Sequence, residues 1–141
     1  SKSLRKITHS SRFEVRIDNA FEDVIIRCSS VIRPGQAGTW IDDAMVQAYC
    51  DLNKEGFAHS YEVYENDKLV GGLYGVALGG VFFGESMFSL VSNASKVAFA
   101  YLLQNSHYRL IDCQVENKHL QNLGAFRLPR DLFIQQLKAF V

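Results

Sequence analysis

Hydrophobic and polar positions change period several times along this chain, and each change marks an element. Phe13, Val15 and Ile17 alternate with Glu14, Arg16 and Asp18, which predicts a strand. Asp18 or Asn19 then stands ready to cap a helix with Phe21, Val24, Ile25 and Cys28 on its apolar face. Pro34, Gly35 and Gly38 punctuate a loop. Ile41, Met45, Ala48, Tyr49 and Leu52 predict a helix from Thr39 to Lys54, with Asp42 and Asp43 in its first turn and Gly56 as its stop. Tyr61 to Tyr64 alternates as a strand, and Glu65-Asn66-Asp67-Lys68 makes a turn. From Leu69 to Leu90 two apolar runs flank Gly79-Gly80, a hairpin signal. Ser92 or Asn93 caps a helix through Ala94, Val97, Ala98, Tyr101 and Leu102 that ends by His107. Arg109 to Val115 reads as a short buried strand, Asn117 to Leu123 as a short helix, and Pro129 opens a last helix through Leu132, Phe133, Leu137 and Phe140. Lys2 to His9 reads as the end of another helix.

This order, with consecutive strands feeding a strand-helix-strand crossover, predicts an α/β (α+β) domain over residues 1–141. Its sheet is mixed and mainly antiparallel, with helices on both faces. A length of 141 residues and 48% hydrophobic content suffice for a core of its own. Fifteen basic and fifteen acidic residues cancel, so no overall field draws in nucleic acid. The local balance differs: Lys2, Arg5, Lys6, Arg12 and Arg16 face only Glu14 at the start of the chain. Such a run serves either as a solvated face or as a phosphate-binding one. Cys28, Cys50 and Cys113 lack zinc or disulfide spacing, which predicts reduced thiols in a cytoplasmic protein and no metal site. No apolar run is long enough to predict a membrane span.

Three polar residues stand out against apolar surroundings. Glu85 lies in the second run of the hairpin, where a carboxylate needs a donor. Glycines at 71, 72, 75 and 84 predict a bulge or a close approach of a ligand or backbone nearby. Asp112 and Gln114 sit two residues apart, hence on one face of their strand. All three suit either structural pairing or a site.

The element order resembles the Gcn5-related N-acetyltransferase fold. Where that family places a glycine-spaced pyrophosphate loop at a helix N-terminus, this chain has Ser89 to Lys96, without glycine. A closer resemblance is carried by Gly38-Thr39-Trp40-Ile41, Gly56-Phe57-Ala58-His59-Ser60, Val70-Gly71-Gly72, Gly84-Glu85-Ser86-Met87-Phe88-Ser89, Asn93-Ala94-Ser95-Lys96 and Ile111-Asp112-Cys113-Gln114. These strings are similar to the leucyl/phenylalanyl-tRNA-protein transferases, from about Ser1 to Phe133. Length is the departure: that family carries a further N-terminal subdomain, and this chain is expected to begin after it.

The resemblance implies a transferase that moves Leu or Phe from aminoacyl-tRNA to proteins with an N-terminal Arg or Lys, marking them for degradation. Aminolysis of an activated ester needs neither metal nor cofactor, only orientation and a path for the amine proton. By the same resemblance Asp112 and Gln114 are catalytic. Trp40, Glu85 and, beside it, Ser86 hold the terminal adenosine. Tyr49, Leu73, Phe82, Phe99, Leu102 and Ile111 line the amino-acid pocket. Lys2, Arg5, Lys6 and Arg12 are expected along the tRNA backbone. Two other classes stay open, an acyl-CoA-dependent N-acyltransferase and a non-catalytic tRNA-binding domain.

Overall fold

The computed structural model describes residues 12–30, 42–112 and 130–140. Within them five strands form one sheet in chain order: β1 (Glu14–Ile17), β2 (Ala58–Glu65), β3 (Lys68–Leu78), β4 (Val81–Ser89) and β5 (Leu110–Asp112). Strands β1 to β4 are antiparallel, and β5 joins β4 in parallel. The described helices are α1 (Phe21–Ser29), α2 (Asp43–Lys54), α3 (Ala94–Asn105) and α4 (Arg130–Phe140). A parallel neighbour needs a crossover, and α3 supplies it between β4 and β5. This is the mixed, mainly antiparallel sheet that the pattern predicts.

Tight turns set the meander. Asn66 and Asp67 both take left-handed φ, 52° and 64°, the conformation of a two-residue hairpin turn whose twist matches its strands. Gly79, at φ 57°, turns β3 into β4.

Two apolar layers cover the sheet. On one face Tyr61, Val63, Val70, Leu73 and Phe82 meet Ala94, Val97, Ala98, Phe99 and Leu102 of α3. On the other, Ala58, Tyr74 and Phe88 meet Phe21, Val24, Ile25 and Cys28 of α1, flanked by Val46, Tyr49 and Leu52 of α2. Positions 94, 97, 98 and 102 recur at helical spacing, so one stripe of α3 faces the sheet. Burying a large apolar side chain such as the fully covered Phe82 stabilises by roughly 1.5–3 kcal/mol.

The ends of the helices correct several expectations. Neither Asp18 nor Asn19 caps α1. Its N-cap is Ala20, which offers no side-chain bond. Asp18 turns instead to β2, accepting from the Ser60 amide at 2.9 Å and pairing with His59 at 2.7 Å. The capping acceptor comes from β2: Glu62 receives the Asn19 amide at 2.9 Å, the Ala20 amide and the Ser60 hydroxyl. At α2 the helix starts at Asp43, because Asp42 is the extended N-cap that accepts from the Met45 amide at 2.9 Å. Asn93 occupies the N-cap of α3 with φ 72°, but Ser89 does the capping, accepting from the Ser95 amide at 3.2 Å. The predicted segments 2–9, 39–41, 113–115 and 117–123 lie outside the described residues. No described helix is long and apolar enough to cross a membrane.

Glu62 is fully buried, and burial pushes its carboxyl above the ordinary 4.5, against the pull of the Ser60 hydroxyl and the two amides. A raised folded value means a stability contribution that is full below the unfolded value and lost as pH climbs through the folded one. Glu62→Gln does not titrate. Its deficit in melting temperature against the native protein should therefore be largest near pH 4 and shrink toward pH 7. A deficit independent of pH in paired thermal melts would contradict this.

Candidate active site

The sheet is interrupted in β4. Tyr74 of β3 faces Ser86 and Gly75 faces Gly84, so Glu85 between them has no partner and forms a bulge. The glycines make this arrangement possible. A Cβ on Gly75 would lie 2.3 Å from the Phe83 carbonyl oxygen and 2.6 Å from the Phe82 ring, and one on Gly84 would lie 3.2 Å from the Asp112 carbonyl oxygen. The bulge predicted from glycine content is therefore real, and it re-aims the carboxylate.

Glu85 lies close to Tyr49 of α2, near enough for the hydroxyl to act on its carboxyl. The Tyr49 ring stands edge-on to Tyr74, with centroids 5.4 Å apart, and Tyr74 stands edge-on to Phe21 at 5.9 Å. Asp112 is on the same side of the sheet: it faces Phe83, which faces Val76, and Val76 packs with the α1 and α2 layer. Burial pushes the Glu85 carboxyl up; the Tyr49 hydroxyl opposes the shift, and the Asp112 charge adds to it. Burial and the Glu85 charge push Tyr49 up in turn. The polar neighbour of Glu85 is thus a tyrosine from another element. Only the apolar helix face holding a lone Tyr hydroxyl hinted at it, and the bracing Tyr74 was missed.

The other expected site residues divide. Ser86 is half-buried and faces Tyr74 on the Glu85 side. Leu73, Phe82, Phe99 and Leu102 are buried on the opposite face under α3, with Ile111 packed at the border of that layer. Arg12 pairs with Glu65 at 2.8 Å and stacks over Phe13, so its charge is already met by an acid. Trp40, Gln114, Lys2, Arg5 and Lys6 lie outside the described residues.

At the N-terminus of α3, where an acyl-CoA enzyme holds pyrophosphate, one amide is already taken by a side chain. Ser89 occupies the Ser95 amide, and the chain packs so closely that a Cβ on Gly71 would lie 2.5 Å from the Ala94 methyl.

Comparisons with known proteins bear on the family and the fold. The model of the family described as leucyl/phenylalanyl-tRNA protein transferase matches residues 1–138. A leucyl/phenylalanyl-tRNA--protein transferase from Flavobacterium johnsoniae is 51% identical over 99% of this chain and 67% of its own length. One from Xanthomonas axonopodis pv. citri is 54% identical over 98% of this chain and 57% of its own length. The chain thus spans between about half and two thirds of such relatives. In fold it is similar to an acetyltransferase assigned to the gnat family from Xanthomonas campestris pv. campestris, with a TM-score of 0.61 at 16% identity, covering 88% of this chain and 89% of that one. Half of the positions are identical to those relatives along nearly the whole chain, and the chain therefore belongs to the leucyl/phenylalanyl-tRNA protein transferase family, a family of transferases.

Proposed function

We infer that this chain is the acyltransferase-like catalytic domain that moves Leu or Phe from aminoacyl-tRNA to the α-amino group of proteins beginning with Arg or Lys, marking them for degradation. The observation that carries the reading is the grouping of Glu85, Tyr49 and Asp112 on one face where β4 is interrupted. The amine nitrogen attacks the ester carbonyl carbon, an N–C bond forms, and the C–O bond to the terminal ribose breaks. The amine loses one proton and the departing ribose oxygen gains one, so the step balances without metal or redox chemistry. Gln114 accepts a hydrogen bond from the attacking amine through its carbonyl, since an amide is no base, and Asp112 orients it. Glu85, with Ser86 beside it and Trp40 stacking on the base, holds the terminal adenosine. Lys2, Arg5, Lys6 and Arg12 follow the tRNA backbone, where Arg12 has to exchange Glu65 for phosphate.

Tyr49, Leu73, Phe82, Phe99, Leu102 and Ile111 receive the amino-acid side chain. Because Leu73, Phe82, Phe99 and Leu102 are buried, that side chain has to part β4 from β5 or displace core atoms to reach them. One methylene is worth only about 1–3 kcal/mol in such a site, so shape has to exclude β-branched residues.

The deciding assay supplies tRNA charged with radiolabelled Leu and acceptor peptides starting with Arg or with a neutral Gln. Label should reach the Arg peptide in strong preference, and titration with acetyl-CoA in a calorimeter should give no binding heat. Binding of charged tRNA without transfer would favour a non-catalytic tRNA-binding domain, and acetyl-CoA binding without transfer would favour the acyl-CoA class.

A further inference from the structure

We propose that Tyr108 is a specificity-determining residue: its ring is the movable outer wall of the amino-acid pocket, and it swings aside to admit the substrate side chain against Phe82. This rests on the aminoacyl-transfer reading given above.

Phe82 is the hub of the layer under α3, and its neighbours differ in how firmly they are held. Its ring lies over Gly75, where even a Cβ would come within 2.6 Å of it. Ile111 is its partner across the parallel ladder of β4 and β5. Tyr61 stands edge-on to it with centroids 6.1 Å apart, buried and paired with both β1 and β3. Phe99 and Leu102 belong to the buried stripe of α3. Tyr108 is held differently. Its ring centroid lies 5.2 Å from that of Phe82 with the planes tilted by 36°, and it is half-buried. It comes from the connection between α3 and β5, residues 106–109, which is neither helix nor strand.

That connection is anchored at both ends. The Ser106 amide donates to the Leu102 carbonyl at 3.2 Å, and the amides of Arg109 and Leu110 donate to the Gly80 carbonyl at 2.7 and 3.2 Å. His107 and Tyr108 span the gap, so the backbone can stay in place while the Tyr108 side chain changes rotamer. Moving Tyr61 would break a sheet ladder, and moving Leu102 would disturb a helix. Tyr108 gives up only packing, and a partly exposed ring turns far faster than an enzyme turns over. The space it leaves is lined by Phe82, Tyr61, Leu102 and Ile111, an apolar slot suited to a flat or γ-branched side chain. Because this wall is a side chain and not a strand, its size sets how much room a substrate finds. A smaller residue at position 108 favours Phe over Leu, and a larger one does the reverse.

Two variants bracket the native tyrosine: Tyr108→Ala removes the wall and Tyr108→Trp thickens it. With tRNA charged with Phe or with Leu, the Phe-to-Leu ratio of kcat/KM should rise about tenfold in Tyr108→Ala and fall about tenfold in Tyr108→Trp, the lower end of what one methylene commands in an apolar pocket. Tyr108→Phe keeps the ring and should keep the native ratio. A second readout needs no transfer. Toluene is titrated into each folded protein carrying labelled Leu and Ile methyl groups. NMR should show Leu102 and Ile111 responding, with toluene held most tightly by Tyr108→Ala, less by the native chain and least by Tyr108→Trp, while Ile25 on the opposite face stays unmoved. A Phe-to-Leu ratio within about twofold of native in both variants overturns the proposal. So does a toluene titration at Leu102 and Ile111 that separates no variant from another. If the native chain transfers neither amino acid while toluene ranks the variants as stated, the movable wall stands and the aminoacyl-transfer reading fails alone.

Discussion

Asp112→Asn should reduce aminoacyl transfer by about 100- to 10,000-fold, the range expected when a positioned acid–base group is removed, while leaving the melting temperature nearly unchanged. The expectation follows from where Asp112 sits. It closes the described part of β5, paired with Phe83 across a parallel ladder, and its side chain is half-buried. Asn keeps the shape and one acceptor oxygen, so the strand has no reason to move. What is lost is the negative charge that, in the proposed mechanism, orients Gln114 and the amine proton. A second consequence separates this account from simple damage. Asp112 raises the Glu85 carboxyl, so removing its charge should let Glu85 ionise at lower pH, and charged tRNA should bind more tightly on the acid side in Asp112→Asn than in the native protein. Single-turnover kinetics and binding titrations at several pH values measure both. Transfer within threefold of native would remove Asp112 from the chemistry.

Gly75→Ala should cost about 3 kcal/mol, the upper part of the range for overpacking a core, and lower the melting temperature by about 10 °C. The added methyl meets a backbone carbonyl of β4 at 2.3 Å and the fully buried Phe82 ring. Neither can step aside cheaply, since a carbonyl in a ladder is held by its strand and Phe82 anchors the layer under α3. The relief is to separate β3 from β4 next to Glu85, so transfer should fall even at temperatures where the variant is folded. Gly56→Ala is the control. It pays for a left-handed φ of 86° but meets nothing within 4 Å, so its cost should stay near 1 kcal/mol with transfer intact. Equal melting temperatures for the two variants would mean that the close approach at Gly75 is not a constraint.

Much of this arrangement was legible in the sequence, and the limits have physical causes. Local period fixed the kind of each described element: alternation at Phe13 to Asp18, the helical stripe of Ala94, Val97, Ala98 and Leu102, the hairpin at Gly79-Gly80. These signals depend on neighbours a few residues away, and nothing distant had to be known. Glu85 and Asp112 were visible as polar residues in apolar strands, and the wording of Gly84-Glu85-Ser86-Met87-Phe88-Ser89 pointed to the family. Which face each strand residue took was not legible. Phe83 and Phe88 are five apart, so strict alternation puts them on opposite faces; the bulge at Glu85 resets the count, and both lie on the α1 and α2 side. Helix caps failed for the same reason. The sequence offers Asp18 and Asn19 beside α1, but Glu62, brought by the register of β2, takes the amides. By itself the sequence determined the elements, their order and the identity of the chemical groups, because those are set by local spacing. The tertiary structure alone decided that Tyr49 and Asp112 come near Glu85 on one face, because that depends on strand register and on how α2 lies across the sheet.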